Sequence, residues 1–252
     1  MKVGIVGKGG AGKTTISALL CEAFAARHRR VVAIDTDSNP NLGISLGFTL
    51  EETEAVPVLP RAMLVGERGD VTADELIDEY GRLTPAGPML LSAIRVTEAG
   101  GGCTCGGHAT VRSLLGDALT GHADVTLIDM EAGLEHLSRS GGTLAHADVL
   151  LVIMEPTRKG VLTASRTVPL ADELGIPRTL GLGNKAHLPA DREFFERECA
   201  AQGVELAGVL PYDDEVLAAE RSGARVPEGR AEAVRAEISR VVDVLDELVP
   251  VG

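Results

Sequence analysis

"GKGGAGKTT", Gly7 to Thr15, follows the apolar run "KVGIV" of residues 2 to 6 without a break. It satisfies G-x-x-x-x-G-K-[ST], with a strand pattern before it and a helical pattern, Thr14 to Arg27, after it, and that context gives the motif its meaning. Glycines let successive backbone N–H groups curl around phosphate oxygens, and a helix starting near Lys13 adds the positive end of its dipole. Gly9, Gly10, Ala11, Gly12, Lys13, Thr14 and Thr15 are the expected cradle, with Lys13 on the β and γ phosphates of a nucleotide and Thr14 on Mg²⁺.

Beyond this loop, buried strand-like runs alternate with helical patterns. The runs are "VVAID" (31 to 35), "MLLSAIRV" (89 to 96), "DVTLID" (124 to 129), "DVLLVIM" (148 to 154), "RTLGLGN" (178 to 184) and "ELAGVLP" (205 to 211). Ala109 to Leu119 and Leu162 to Leu174 carry apolar residues at helical spacing, and Glu228 to Leu248 reads as an amphipathic helix. The alternation predicts one α/β P-loop NTPase domain over 1–252, a mostly parallel sheet of about seven or eight strands with helices on both faces. Residues 49–87, rich in Glu, Asp, Pro and Gly, read as an irregular insertion with one helix near Ala73 to Tyr80.

Composition narrows the function. The net charge of −13 repels phosphate backbones and anionic lipid alike, which argues against nucleic-acid and membrane partners. "MKVGIV" leaves no room for a secretory leader, and no run reaches the roughly 18 apolar residues of a membrane span. A cytoplasmic protein is expected, with reduced thiols.

Lys8 occupies the second loop position, where the bare motif asks for nothing, so a solvated surface charge is its plain alternative. With that lysine the loop resembles the deviant Walker A ATPases, the superfamily of nitrogenase iron protein, MinD and ParA. The resemblance implies ATP as substrate, a homodimer that sandwiches it, and Lys8 reaching across a two-fold axis to the partner subunit's nucleotide. Asp35 and Asp37, two apart at the end of the second strand, are expected on one face beside the phosphates. The resemblance assigns Asp37 to orient the attacking water, Asp35 to support the Mg²⁺ shell, Asp129 to be the Walker B carboxylate, and Glu131 to Leu137 to form a second switch. Helix capping and loop solvation are the alternatives for these acids. It also places Asn184, closing the strand "LGLGN", on the adenine edge and Pro211 in the loop over the base, although Asn after a strand is also an ordinary turn former.

"GGGCTCGGH", Gly100 to His108, holds two of the four cysteines. In a reducing compartment such a pair means metal or redox chemistry more often than a disulfide. A C-x-C between strand and helix, with "EAGLEH" after Asp129, resembles the CooC-type nickel-insertion accessory ATPases of carbon monoxide dehydrogenase over essentially the whole chain. The resemblance implies that Cys103 and Cys105 of two subunits meet on the dimer axis and bind Ni²⁺ or Zn²⁺, with a client metalloenzyme such as nickel carbon monoxide dehydrogenase. Two thiolates become four by symmetry, the number these ions favour with sulfur. Incidental small residues or a redox-labile pair are the alternatives, and Cu(I) suits the same ligands. His108 either joins the metal or begins the next helix; His136 reads as structural, and Cys21 and Cys199 read as core. Two rival functions remain, a ParA- or MinD-like positioning ATPase and an iron–sulfur reductase, the second distinguished by a broad absorption near roughly 400 nm.

Overall fold

In "KVGIVG" every residue after Lys2 is buried, as a strand covered on both faces must be, and in the computed structural model these residues form β1 (Lys2–Gly7) at the heart of an eight-stranded sheet. The structure describes residues 1–60, 72–95, 110–119, 122–133 and 143–249. The further strands are β2 (Val31–Asp35), β3 (Arg82–Leu83), β4 (Met89–Ser92), β5 (Val125–Asp129), β6 (Val149–Met154), β7 (Arg178–Ala186) and β8 (Glu205–Pro211). Their order is β3-β4-β2-β5-β1-β6-β7-β8, parallel throughout except for the β3–β4 pair. The expected α/β architecture is the observed one.

The helices are α1 (Lys13–Ala26), α2 (Leu42–Ser45), α3 (Leu50–Ala55), α4 (Ala73–Tyr80), α5 (Arg158–Glu173), α6 (Pro189–Gln202), α7 (Asp214–Ser222) and α8 (Glu232–Leu248). Alternation along each strand divides the core in two. Val3 and Ile5 of β1 pack with α1, α2 and α8, around Phe24; Val6 faces α4, α5 and α6, around Phe195. Both phenylalanines are fully buried, and truncating either to alanine should cost about 3–5 kcal/mol.

Local chemistry moved several boundaries. The strand expected over 89–96 stops at Ser92: Arg95 turns away to donate to the Thr53 and Glu54 carbonyls at the end of α3. The segment expected to be a helix over Ala109 to Leu119 is helical at 110–113 and passes into a wide π-type turn, Leu114–Ala118, broken at Gly116 (ψ −126°). The last helix begins at Glu232, not Glu228, because Arg230 N–H donates to Pro227 O in a turn and Ala231 follows in a left-handed conformation. Within 49–87, the helix at Ala73–Tyr80 is accompanied by α3 and by β3, which joins the sheet edge; capping boxes at Thr49 and Thr72 start the two helices. Helices α6 and α7 lay unread in the sequence, although Pro189 at a first turn with Gly203 at the end, and Asp213 with Gly223, are the signals that mark them.

Candidate functional site

The chain leaves β1 at Gly7 and enters α1 at Lys13, and the intervening loop is held from outside by three side chains. Lys13 Nζ donates to Lys8 O (3.3 Å), Lys185 Nζ to Gly10 O (2.5 Å) and Asn184 Nδ2 to Ala11 O (2.8 Å). Across a trans peptide the carbonyl of one residue and the N–H of the next point opposite ways, so fixing these carbonyls orients the Gly9, Ala11 and Gly12 amides. Gly12 sits at φ +95°, and a Cβ there would lie 2.5 Å from Asn184 Nδ2. Only glycine fits. Helix α1 starts with no side-chain cap and no acid in its first turn, and the space beside Gly10 is open. An uncapped helix start inside a glycine loop is a cradle of the right chemistry for nucleotide phosphates.

Acids gather beside it. Asp35 pairs in register with Asp129 on β5 and Ser92 on β4, so the three side chains form one row on the α1 face of the sheet. Asp35 and Asp129 are each 1% exposed. Ser17 Oγ donates to Asp129 Oδ1 (3.0 Å), and Thr14 also bonds this carboxylate. Burial raises both carboxyls above their ordinary range: Asp129 adds to the effect on Asp35, while Thr14, Ser17 and Lys13 partly offset it at Asp129. Burial likewise lowers the Lys13 ammonium. Under-neutralised buried carboxylates next to a threonine hydroxyl are a donor set suited to Mg²⁺.

The strand ends at Asp35, so Asp37 does not share it as expected. Asp35 Oδ1 accepts the Asp37 N–H (3.0 Å) and Oδ2 the Leu42 N–H (2.9 Å), which curls residues 37–42 into a loop anchored at both ends. Asp37 is half-buried in that loop, its Oδ1 accepting the Asn39 N–H. Ser38 bonds Glu131 across to the segment after β5.

Thr15, Asn184, Lys185, Pro211, Tyr212 and Val216 contribute to a cavity of about 130 Å³ at the start of α1, on which Asn184 and Pro211 converge. Asn184 lies within β7, in an irregular bulged end, not after it. Thr15 Oγ1 donates to Glu220 (2.5 Å) at the border with a second cavity of about 260 Å³ towards α2. Tyr212 stacks on His187 with ring centroids 4.1 Å apart. Tyr212 falls within "GVLPYDD", Gly208 to Asp214, the stretch expected to close over the base, whereas Lys185, Glu220 and Ser17 carried no sequence signal.

Lys8 is exposed. Cys21 and Cys199 are buried core residues, as expected. Cys103, Cys105, His108, His136 and residues 134–137 of the second switch lie outside the described residues. Among the described residues no cluster of three or more His, Cys, Asp or Glu is placed to hold a metal, and no helix is long and apolar enough to cross a membrane.

The family model CbiA, described as the CobQ/CobB/MinD/ParA nucleotide binding domain, matches residues 4–226. The chain is 36% identical over 237 residues to the carbon monoxide dehydrogenase accessory protein CooC of Rhodospirillum rubrum, covering 88% of each. It is 34% identical over 238 residues to an ATP-binding protein of Methanocaldococcus jannaschii, covering 88% of this chain and 90% of that one. Among solved structures, the septum site-determining protein MinD of Pyrococcus horikoshii, complexed with Mg-ADP, superposes with a TM-score of 0.70 at 19% identity, over 99% of this chain and 97% of that one, which establishes the likeness of fold.

Proposed function

The chain belongs to the CobQ/CobB/MinD/ParA nucleotide-binding family of P-loop ATPases, and from that premise we propose that it is a cytoplasmic, ATP-dependent dimeric factor that couples its nucleotide cycle to nickel delivery into a metalloenzyme. The observation that carries the dimeric part is the division between the two loop lysines. Lys13 is buried in the cradle and bonds the Lys8 carbonyl, while the Lys8 side chain is exposed, free to serve a neighbouring subunit. Nickel as cargo rests on the likeness to the carbon monoxide dehydrogenase accessory protein and on Cys103 and Cys105.

In this reading the amides from Gly9 to Thr15 and the Lys13 ammonium hold the β and γ phosphates. Thr14 and Asp129 would hold Mg²⁺, which supplies positive charge to the phosphoryl oxygens when bound. Asp35 supports the Mg²⁺ shell from beside Asp129 and shapes the 37–42 loop through its two amide contacts. Asp37, carried on that loop, orients the attacking water, and Lys8 of the partner subunit faces the phosphate charge from the other side. Asn184 and Pro211 bound the base. Cys103 and Cys105 bind the nickel or zinc cargo as thiolates, four from two chains.

Titrating Ni²⁺ and Zn²⁺ into the protein with and without ATP, with sedimentation as readout, tests this. One ion per dimer and a metal-dependent gain in ATP-driven dimerisation are expected, reciprocal by linkage and about 1 to 3 kcal/mol in size. Cys103→Ser or Cys105→Ser should lose the metal and keep ATP binding; Lys8→Ala should bind ATP as a monomer without dimerising. One ion per monomer, or a monomer–dimer balance indifferent to metal, refutes the shared site.

A further inference from the structure

The bulged end of β7 carries a contact that the proposed reaction does not use. In a regular strand Asn184 and Lys185 would point to opposite faces. Here Lys185 takes φ +58°, a left-handed conformation that is uncommon for a side chain of this size, and both residues fall on the phosphate loop. Lys185 Nζ lies 2.5 Å from Gly10 O and 3.3 Å from a carboxylate oxygen of Glu155, just past the end of β6. The ammonium is thus tied between a carbonyl and a carboxylate, the first turning it towards the backbone of the loop and the second offsetting its charge. Its exposure is intermediate, with the side chain 37% accessible.

We propose that Lys185, steered by Glu155, is a positioning residue for the phosphate loop. It pins the Gly10 carbonyl outward, next to the Ala11 carbonyl held by Asn184, and so orders the outer limb of the cradle through contacts that need no ligand. Ordering the limb in advance removes that cost from binding. Gly10 belongs to the cradle for any nucleotide phosphate, so the effect falls equally on ADP and ATP. The strained backbone at Lys185 is what turns consecutive side chains onto one loop. This inference rests on the loop being the nucleotide site.

Hydrogen exchange of the loop amides in the nucleotide-free full-length chain, with equilibrium titration of ADP and ATP, tests it. Lys185→Met should speed exchange at residues 9–12 and weaken both nucleotides by a similar factor, about three- to tenfold, with kcat at saturating ATP unchanged. Lys185→Arg should restore most of the affinity. Lys185→Gly relieves the left-handed strain while removing the cation, so it should fold at least as stably as wild type and still show the loosened loop. Glu155→Gln should reproduce part of the effect. Unaltered exchange and affinity in the Met and Gly variants overturns the proposal. So does a fall in kcat with affinity unchanged, which would place Lys185 in the transition state. If wild type binds neither nucleotide, the reading of the site fails, yet the exchange comparison still decides whether Lys185 orders the loop.

Discussion

Two parts of the α1 face bury carboxylates in opposite ways. At the ends of β2 and β5, Asp35 and Asp129 lie side by side with Lys13 as the cation acting on Asp129, and burial drives both carboxyls up. Along the seam where α1 meets α8, Glu22 faces Arg235 at 2.9 Å with hydrogen-bond alignment and Arg225 Nε at 2.8 Å without it. Nearby Glu237 accepts the Val209 N–H (3.1 Å) and is met by Arg192 and Arg240. Burial opposes ionisation of Glu237 too, yet the Val209 N–H and the arginines outweigh it and hold its carboxyl below the usual range. A buried acid with its charge answered holds helices together, whereas a pair left under-answered suits a ligand cation.

The sharpest way to break this contrast is Lys13→Ala, which removes the cation beside Asp129 at the ends of β2 and β5. ADP affinity should fall by about a thousandfold, about 4 kcal/mol, in a fluorescence titration, because a phosphate-binding charge is lost and the Asp129 carboxylate loses the nearby cation that partly offsets its burial. Near-normal affinity would show that the loop amides suffice.

On the seam, Glu22→Ala leaves two arginines facing each other and should lower unfolding free energy by about 3 kcal/mol in denaturant titrations. A loss under about 1 kcal/mol would mean that solvent screens the arginines well enough to make the seam dispensable.

Glu237→Gln is milder, about 1.5 kcal/mol, and depends on pH. Since the folded carboxyl lies below its ordinary 4.5, the unfolded chain takes up the proton first as pH falls. The contribution is complete above pH 4.5 and disappears as pH drops through the depressed folded value, so wild type and variant should converge in acid. Parallel curves at every pH would remove the charge from the explanation.

The smallest stability change belongs to Asp129→Asn. Its raised carboxyl costs the fold free energy when ionised, so at pH 8 the nucleotide-free variant should be as stable as wild type or more stable by under about 1 kcal/mol. Its Mg²⁺-dependent hydrolysis should nevertheless be lost. Clear destabilisation would make this corner structural, like the seam.

These contrasts were unequally legible. The strand around "VTLID" and the loop "GKGGAGKTT" advertise themselves by pattern, because burial on both faces and tight curvature each demand particular residue types locally. Asp35 and Asp37 looked equivalent in sequence; what separates them is which amides curl back to the first one. Lys185 gave no signal at all, since its contact with Gly10 spans 175 residues of chain and requires a left-handed residue that composition does not announce. The seam arginines were equally silent, being ordinary surface residues until α8 folds against α1.

What the amino-acid order settled is whatever is local: the alternation of strand and helix, the phosphate loop and its two lysines, and the buried cysteines Cys21 and Cys199. The order of strands puts β2 and β5 on one side of β1 and β6 and β7 on the other, and only that tertiary arrangement brings Asp35 to Asp129, Ser17 to Asp129 and Asn184 with Lys185 to the loop. The physical reason is range. Periodicity and turn chemistry act over a few residues, while burial of charge and the reach of one ammonium to one carbonyl depend on chain segments that meet only once the sheet is assembled.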